Sequence, residues 1–235
     1  MSSEVKTNKI SPATGTAFQF GDSGDTFTIP SGVTLTNNGS SSGFDSGLAS
    51  VQVFTSSGTW TKPTGITKVM VEVQGAGGSG SVTTETANNG GGGGGYAKKL
   101  IDVSSISTAT VTVGAGGASN ASSGGNAGGA SIWSDGTNTI TCNGGSGGAT
   151  TIGVGTAGGS ASGGDLNIDG GRGQPQSYYY CSGGDSILGT SGQGGFGATY
   201  SVDQAPTGYG SGTGGHYNGT ALAATDGIVI VTEYK

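Results

Sequence analysis

The sequence predicts a mainly β protein: a small antiparallel β domain with an inserted glycine-rich, polyglycine-II-like helical block, preceded by an extended N-terminal assembly segment. Three observations lead to this fold class. Glycine occupies 54 of the 235 positions, and hydrophobic residues make up only 31% of the chain. Short runs of alternating β-branched residues lie on both sides of the glycine-rich stretch. Since so few apolar side chains cannot build one large conventional core, the glycine-rich part needs another means of cohesion.

The first 50 residues are rich in Ser, Thr and Gly and contain two short strand candidates, at residues 17–20 and 26–29. In the second candidate Phe27 and Ile29 alternate with threonines, which is the pattern of a half-buried strand, and a proline follows it. The segment has too little apolar surface to fold alone. We therefore expect residues 1–50 to bury their apolar side chains in attachment and oligomerisation.

A β domain is predicted over residues 51–113. Alternating β-branched residues bounded by glycine or serine clusters occur at 68–73 and 109–113, which is typical of antiparallel strands. Residues 228–231 are all aliphatic, which favours a strand buried on both faces. We therefore expect residues 226–235 to complete, as a central strand, a sheet begun much earlier in the chain.

Between residues 114 and 225 paired glycines recur at short intervals and define the predicted glycine-rich region. The spacing lacks the Gly-x-y repeat of collagen and the chain has only five prolines, so a collagen triple helix is excluded. A left-handed extended helix with three residues per turn has no internal hydrogen bonds, so neighbouring helices must satisfy its backbone groups. Disorder is the alternative for this region, although the low charge content is atypical of disordered chains.

The charge balance excludes several classes of function. The net charge is −6 and the eight Lys and Arg are spread thinly, so no nucleic-acid-binding surface is expected. No apolar run approaches the roughly 20 residues of a membrane span, and the N-terminus lacks the apolar stretch of a secretory signal. Cys142 and Cys181 lie far apart without a Cys/His cluster, so no metal site is predicted. Buried thiols are favoured for them over a disulfide.

Two glycine motifs resemble nucleotide-binding loops. Residues 75–80 match Gly-x-Gly-x-x-Gly after a predicted strand, but the polar and glycine-rich residues that follow cannot form the helix that binds pyrophosphate. Residues 90–98 lack the Gly-Lys-Ser/Thr of a phosphate-binding loop and are interpreted as the start of a strand. No cofactor is predicted.

The candidates for acid–base chemistry are aspartates beside Gly, Ser or Asn: Asp165, Asp169, Asp185, Asp203 and Asp226. Two carboxylates at glycosidase spacing would act on a polysaccharide, yet a short carboxylate in such a setting usually caps its own backbone. The only histidine, His216, has no Ser or Cys nucleophile motif near it. We expect no enzymatic activity, and a capsular polysaccharide depolymerase remains an alternative.

Aromatic side chains interrupt the glycine clusters in the last quarter of the chain. The candidate binding residues are Tyr178, Tyr179, Tyr180, Tyr200, Tyr209, His216 and Tyr217. An exposed tyrosine offers a flat apolar face to a sugar ring and a hydroxyl to its polar edge. The alternative is that these rings pack over the scaffold and supply its missing core. The polar loop 79–89 either contacts a ligand or only connects two strands.

Several stretches carry a resemblance to a known family. Residues 54–63, Phe-Thr-Ser-Ser-Gly-Thr-Trp-Thr-Lys-Pro, followed by residues 69–78, resemble the opening of the glycine-rich tail-fibre domain of phage and prophage proteins. Residues 226–234 are similar to the usual end of that domain, and residues 184–189 and 207–210 also fit. The resemblance covers roughly residues 51–235.

The lead, residues 10–32, resembles fibre segments of marine and cyanobacterial phages. In composition the glycine region is similar to distal adhesins of T-even-like phages, in which polyglycine helices present receptor-binding loops. The resemblance implies a virion tail-fibre protein, made in the host cytoplasm and acting outside the cell, that recognises a bacterial surface glycan or an outer-membrane protein. We expect a homotrimer joined to the phage tail or an adaptor through residues 1–50. A purely structural virion or filament subunit is the other alternative.

Overall fold

The structure is a computed structural model that describes residues 26, 28–34, 36, 47–84, 88–121, 123–151, 153–175, 181–195 and 204–235. The chain divides into two compact units, residues 1–44 and 45–235. In the first unit the Val33 amide donates to the Pro30 carbonyl (3.3 Å) across a turn in which Gly32 has a φ of 86°. None of the described residues of this unit lies in a strand, and the strand predicted at 17–20 falls outside them.

Within the described part of the second unit the regular structure consists of short strands, so the prediction of a mainly β chain is confirmed. The strands are β1 (Leu48–Phe54), β2 (Gly58–Thr61), β3 (Lys68–Gln74), β4 (Val82–Thr83), β5 (Tyr96–Asp102), β6 (Thr108–Thr112), β7 (Ser131–Ser134), β8 (Thr139–Cys142), β9 (Ala161–Ser162), β10 (Leu166–Ile168), β11 (Cys181–Ser182), β12 (Gly189–Thr190), β13 (Gln193–Gly194), β14 (Thr207–Gly208), β15 (His216–Tyr217) and β16 (Ile228–Tyr234). Across these described ranges, no helix is long and apolar enough to cross a membrane.

Two five-stranded antiparallel sheets pack face to face as a sandwich. The first sheet has the strand order β1-β16-β3-β5-β10, and the second has the order β2-β6-β7-β8-β9. As predicted, the last strand is central, because β16 pairs with β1 on one side and with β3 on the other. A strand with neighbours on both edges and apolar residues on both faces fits the aliphatic run at 228–231.

The inner faces of the two sheets enclose one apolar core. Val69, Val71 and Val73 of β3 point inward and are fully buried, while the residues between them are more exposed, as the period-2 pattern requires. From the second sheet the buried indoles of Trp60 and Trp133 lie against each other, with ring centroids 5.3 Å apart and planes inclined by 52°. This core fixes the strand ends from which the glycine-rich segments depart.

The glycine-rich region is distributed differently from the predicted domain boundaries, which assigned 51–113 and 226–235 to the β domain and 114–225 to the insertion. Strands β7 to β10 lie between residues 131 and 168 and belong to the two sheets, because residues such as Trp133 and Ile140 enter the core. The glycines of 75–80 and 90–95, in turn, pair with other glycine segments. The region therefore consists of several glycine-rich connecting segments, which lie between successive strands of the sandwich.

These connecting segments lie side by side and are joined by backbone hydrogen bonds. Together they are called the glycine block, which comprises residues 75–81, 89–95, 114–118, 124–130, 143–149, 156–160, 169–174, 181–186, 190–195, 210–216 and 221–227.

Hydrogen-bond direction in the run Gly90–Gly95 repeats after three residues. Each amide of the run donates to another segment, and amides three residues apart donate to the same one. Gly90 and Gly93 donate to Gln174 and Gly171, Gly91 and Gly94 to Thr213 and Gly210, and Gly92 and Gly95 to Ser146 and Asn143, at 2.7–3.0 Å. The run also accepts from other segments, through the pairs Gly78–Gly92, Gly75–Gly95, Gly184–Gly91 and Gly159–Gly93. The run is thus enclosed by other segments and bound to them through its own backbone.

Glycine is required in this run because neighbouring backbones occupy the space of a side chain. A Cβ on any residue of Gly90–Gly95 would come closer than 3.0 Å to a carbonyl oxygen of an adjacent segment. Those oxygens belong, in order, to Ser182, Gly78, Ala157, Asp185, Gly75 and Ser160. None of the six glycines has a positive φ, so close approach rather than backbone conformation excludes other residues.

Candidate functional site

The glycine block has one end at the sandwich and one end remote from it. Gly75 follows β3 and Gly95 precedes β5, and the Gly75 amide donates to the Gly95 carbonyl (2.8 Å) next to the sandwich. At the other end of the same two segments the Ser81 amide donates to the Asn89 carbonyl (3.0 Å). We call this remote end, where the chain turns between segments, the far end.

The described residues at the far end are 82–84, 88, 119–121, 123, 150–151, 153–155, 175, 195, 204 and 217–220. Hydrogen bonds join most of these turns to one another. The donor–acceptor pairs are Val82–Ser123 (2.9 Å), Asn218–Thr83 (3.0 Å), Tyr217–Gly195 (3.2 Å) and, from its side chain, Asn89–Thr151 (2.8 Å). Turns that are distant in sequence therefore form one continuous surface.

Tyr217 belongs to this surface. Strand β15 pairs in parallel with β4, which places Tyr217 opposite Thr83. The next residue, Asn218, has a φ of 51°, a left-handed conformation that asparagine adopts more readily than most residues. The resulting bend returns the chain into the block and leaves the Tyr217 side chain half-buried at the far end.

Tyr209 lies at the opposite end of the block. Its amide donates to the Leu188 carbonyl (3.1 Å), and the adjacent Gly210 donates to Asp226 (2.8 Å), directly before β16. Seven residues, 210–216, lie between Tyr209 and Tyr217, so the eight steps from one tyrosine to the other correspond to about 25 Å at about 3.1 Å per residue. A single small binding site therefore cannot include both tyrosines.

His216 is a buried residue of the block, with 6% of its surface exposed. Its Nδ1 lies 3.2 Å from the Tyr217 carbonyl oxygen, and a Cβ at Gly219 would collide with its ring. The imidazole thus packs beneath the turn 217–220 and supports Tyr217. The other candidates, Tyr178, Tyr179, Tyr180 and Tyr200, lie outside the described residues.

The described aspartates accept hydrogen bonds from backbone amides. The pairs are Asp165 with Leu100 (3.0 Å), Asp169 with Ala161 (3.2 Å), Asp185 with Ser191 (2.7 Å) and Asp226 with Gly116 (2.7 Å). The prediction was that each carboxylate caps its own turn, but these amides lie 65, 8, 6 and 110 residues away in sequence, so the four carboxylates join separate parts of the chain. Asp203 falls outside the described residues. Across the described ranges, no group of three or more His, Cys, Asp or Glu could hold a metal ion.

Both cysteines are buried free thiols, as predicted. Cys142 lies in the sandwich core, where its Sγ donates to the Val73 carbonyl (3.2 Å). Cys181 lies in the glycine block and accepts from the Gly215 amide (2.8 Å). Burial raises the pKa of Cys142 to about 12 and that of Cys181 to about 11, because the thiolate is poorly solvated there.

The far-end surface is rich in hydroxyl and amide groups. Its exposed, neutral polar residues include Thr84, Thr150, Thr151, Asn218 and Thr220. Of the described side chains at this end, only Arg172 carries a fixed charge, and it donates to the Gly155 carbonyl (3.1 Å). The surface can therefore form hydrogen bonds with a neutral polar partner. Sequence reasoning singled out Thr84 only as part of the loop 79–89. It missed the other four because it followed the aromatics, although their position between glycine clusters was visible.

A profile of the glycine-rich domain family matches residues 49–234, a range that contains both sheets and the whole glycine block. Comparison with curated proteins found no match. Because the family profile covers more than half of the chain, this protein belongs to the glycine-rich domain family.

Proposed function

We propose that this protein is a phage tail-fibre protein that binds the surface of a host bacterium through the far-end turns of its glycine block. The observation that carries the proposal is the gathering of turn residues distant in sequence, such as Val82, Ser123 and Asn218, on one surface. The block beneath them is held by backbone hydrogen bonds, so its cohesion does not require particular side chains in the turns. The resemblance of residues 54–63 and 226–234 to tail-fibre domains supports the same proposal.

We further propose that the glycine block is a stack of polyglycine-II-like helices. The three-residue repeat of hydrogen-bond direction in Gly90–Gly95 equals the residues per turn of that helix, whereas the period of a β-strand is two. The segment 75–81 supports it too, since the amides of Gly75, Gly78 and Ser81 all donate to residues 89–95. A crystal structure would test this, with φ of about −75° and ψ of about +145° expected in the run.

The chemistry of the far end fits a surface glycan or the polar loops of an outer-membrane protein. Hydroxyl and amide groups can hydrogen-bond to sugar hydroxyls, and the Tyr217 ring can stack on a sugar face. Tyr178, Tyr179, Tyr180 and Tyr200, which lie outside the described residues, stay candidates for receptor contact on their sequence alone. Each contact is expected to be weak and to be strengthened by many copies on one particle.

Attachment to the virion is assigned to residues 1–50, which would join the tail or an adaptor protein. The resemblance to tail-fibre proteins supports a homo-oligomer, with a trimer as the first expectation. The mass of the protein in solution tests the oligomer. Co-purification of the full chain with tail particles, and its loss when residues 1–44 are removed, tests the attachment.

Binding of the purified protein to cells that the phage infects tests the adhesive role. Saturable binding is expected, competed by one surface extract and inhibiting phage adsorption, with no shortening of the glycan. The matched control is the same chain with residues 217–220 replaced by glycine and serine, which should fold and bind poorly. A folded protein that binds no infected strain would favour a structural subunit, and glycan shortening would favour a depolymerase.

A further inference from the structure

The turn 217–220 at the far end contains an Asn-Gly pair, Asn218 and Gly219. Asn218 is exposed and has a φ of 51°, a left-handed conformation that asparagine tolerates. Glycine is favoured at the next position because a Cβ on Gly219 would collide with the His216 ring. The conformation of the turn therefore favours both members of the pair.

An asparagine that precedes glycine can lose its side-chain amide by reaction with its own backbone. The amide nitrogen of the glycine attacks the Cγ of the asparagine, the bond from Cγ to the side-chain nitrogen breaks, and that nitrogen leaves as ammonia with the proton of the attacking amide. Water then opens the cyclic succinimide to aspartate or isoaspartate. Glycine favours the attack because it has no side chain to shield its nitrogen. The net reaction exchanges ammonia for water and needs no other reactant.

The attack requires rotation about the Cα–C bond of the asparagine, because the two reacting atoms must approach each other. Within the ranges that the structure describes, no hydrogen bond is made by the Asn218 side chain, the Asn218 carbonyl or the Gly219 amide. The Asn218 amide donates to the Thr83 carbonyl (3.0 Å), but it lies before the rotating bond. The rotation therefore breaks no hydrogen bond of this turn.

The Asn-Gly pair at residues 89–90 lies in the glycine block and is held at both ends of its peptide group. The Asn89 carbonyl accepts from the Ser81 amide (3.0 Å), and the Gly90 amide donates to the Gln174 carbonyl (3.0 Å). The Asn89 side chain is fully buried and donates to the Thr151 carbonyl (2.8 Å). Rotation at Asn89 would therefore break several hydrogen bonds.

The Asn-Gly pair at residues 143–144 is held in a similar way. The Asn143 carbonyl accepts from the Gly95 amide (3.0 Å), and the Asn143 side chain donates to the Ser160 hydroxyl (2.9 Å). A Cβ on Gly144 would collide with the Gly128 carbonyl, so a neighbouring segment lies directly against this peptide. The packing leaves it little room to rotate.

We propose that Asn218 is a site of spontaneous deamidation in the folded protein, and that the glycine block protects Asn89 and Asn143. The remaining Asn-Gly pair of the sequence, at residues 38–39, falls outside the described residues. Aspartate formed at position 218 places a carboxylate beside Tyr217, and isoaspartate also inserts a methylene into the backbone of the turn. The reaction changes the charge and the shape of the far end as the protein ages.

Peptide mass mapping of the full chain after incubation at pH 8 tests the proposal. The peptide that contains Asn218 should acquire the mass change of an amide converted to an acid, about tenfold or more faster than the peptides of Asn89 and Asn143, whose reaction requires local opening of the block. The chain unfolded in denaturant is the matched reference, in which all three pairs should react at similar rates. The proposal is overturned if native Asn218 stays intact while the unfolded chain reacts, or if all three pairs react equally fast in the native protein.

Asn218→Gly is the variant that separates the reaction from the fold. Glycine adopts a φ of 51° without strain, so thermal unfolding should be unchanged, while the turn has lost the reactive amide. The incubated variant should show no mass change in the peptide that contains the turn. The same mass change in this variant would show that another residue reacts and would overturn the assignment to Asn218.

The effect of the reaction on receptor binding rests on the proposed function. Asn218→Asp reproduces the aspartyl product and should lower binding to host cells by about tenfold, because a carboxylate is costly to desolvate against a neutral partner. Thr137→Asp is the matched control, since it adds the same charge at an exposed position in the turn between β7 and β8. Equal binding by both variants would overturn this effect, whereas mass mapping tests the reaction without any receptor.

Discussion

The indole Nε1 of Trp60 donates a 2.7 Å hydrogen bond to the Oε1 of Glu233, a fully buried carboxylate on the inner face of β16. The same carboxylate accepts from the Gln52 amide (2.7 Å) and from the Ser50 hydroxyl. Trp60 belongs to the second sheet, and Ser50 and Gln52 belong to the edge strand β1. One carboxylate thus joins the two sheets and holds the edge strand in place.

Replacing that carboxylate should destabilise the sandwich. Glu233→Gln is expected to lower the free energy of unfolding by about 1–3 kcal/mol, because an amide has one accepting oxygen and turns its NH₂ group towards donors. Urea denaturation measures the loss. The control is Glu72→Gln on the outer face, where the carboxylate is 21% exposed and the expected loss is below about 1 kcal/mol. Similar losses for both variants would contradict the role given to Glu233.

A methyl group in the enclosed glycine run should be strongly destabilising. Gly91→Ala would press a Cβ against the Gly78 carbonyl, and overpacking of this kind costs about 3 kcal/mol. Gly124→Ala is the matched control, because the nearest atom to a Cβ there is the Gly148 oxygen at 3.4 Å. Thermal unfolding should separate the two variants. If they melt together, close approach does not explain the glycine run.

The two thiols should be unreactive in the native protein. Their raised pKa values keep them protonated at pH 8, and the thiolate is the reactive form. Labelling with a thiol reagent should be slow in buffer and complete in denaturant, whereas a cysteine introduced by Thr137→Cys in the exposed turn before β8 should react at once. Rapid labelling of Cys142 or Cys181 in the native protein would show that the thiol is accessible and would contradict the prediction.

The same thiols predict a loss of stability in alkaline solution. In the unfolded chain a thiol ionises above about pH 8.5, while the folded thiols stay protonated until about pH 11. The unfolded state therefore binds fewer protons between these values, and the free energy of unfolding falls as the pH rises through them. Measuring the free energy of unfolding of the protein and of Cys142→Ala at pH 7 and pH 10 isolates the contribution of this thiol. Between the two pH values the free energy of unfolding should fall less in the variant.

Under the proposed function, the two candidate tyrosines that the structure describes should differ in their effect on host adsorption. Tyr217→Ala at the far end should reduce binding to host cells by about tenfold, a loss typical of an aromatic contact residue. Tyr209→Ala, at the sandwich end, should leave binding unchanged. Circular dichroism and thermal unfolding confirm that both variants fold. Equal binding by both variants would remove Tyr217 from the contact surface.

The longer strands of the sandwich could be predicted because their own residues carry the signal. β3, β6 and β16 alternate or are wholly aliphatic over most of their length. β7 and β8 were missed, since each has only four residues and lies between glycine clusters. Their place in the second sheet depends on pairing with β6 and with each other, for which such short segments carry little local signal.

The candidate site could be predicted only in part. Turns between glycine clusters were visible, but which turns meet depends on hydrogen bonds between segments that are far apart in sequence, such as Asn218 with Thr83. Tyr209 and Tyr217 both occur beside glycine and polar residues, so local sequence could not show that they lie at opposite ends. The burial of His216 likewise depends on packing against Gly219.

The exclusion of even a methyl group from Gly90–Gly95 has an evolutionary consequence. Nearly every missense change in those six codons should be removed by selection, because the block offers no flexible side chains that could adjust. The turns at the far end bear no such constraint, so descendants of this gene are expected to diverge there in both sequence and length. A lineage can thus acquire new surface chemistry by exchanging a turn while inheriting the scaffold intact.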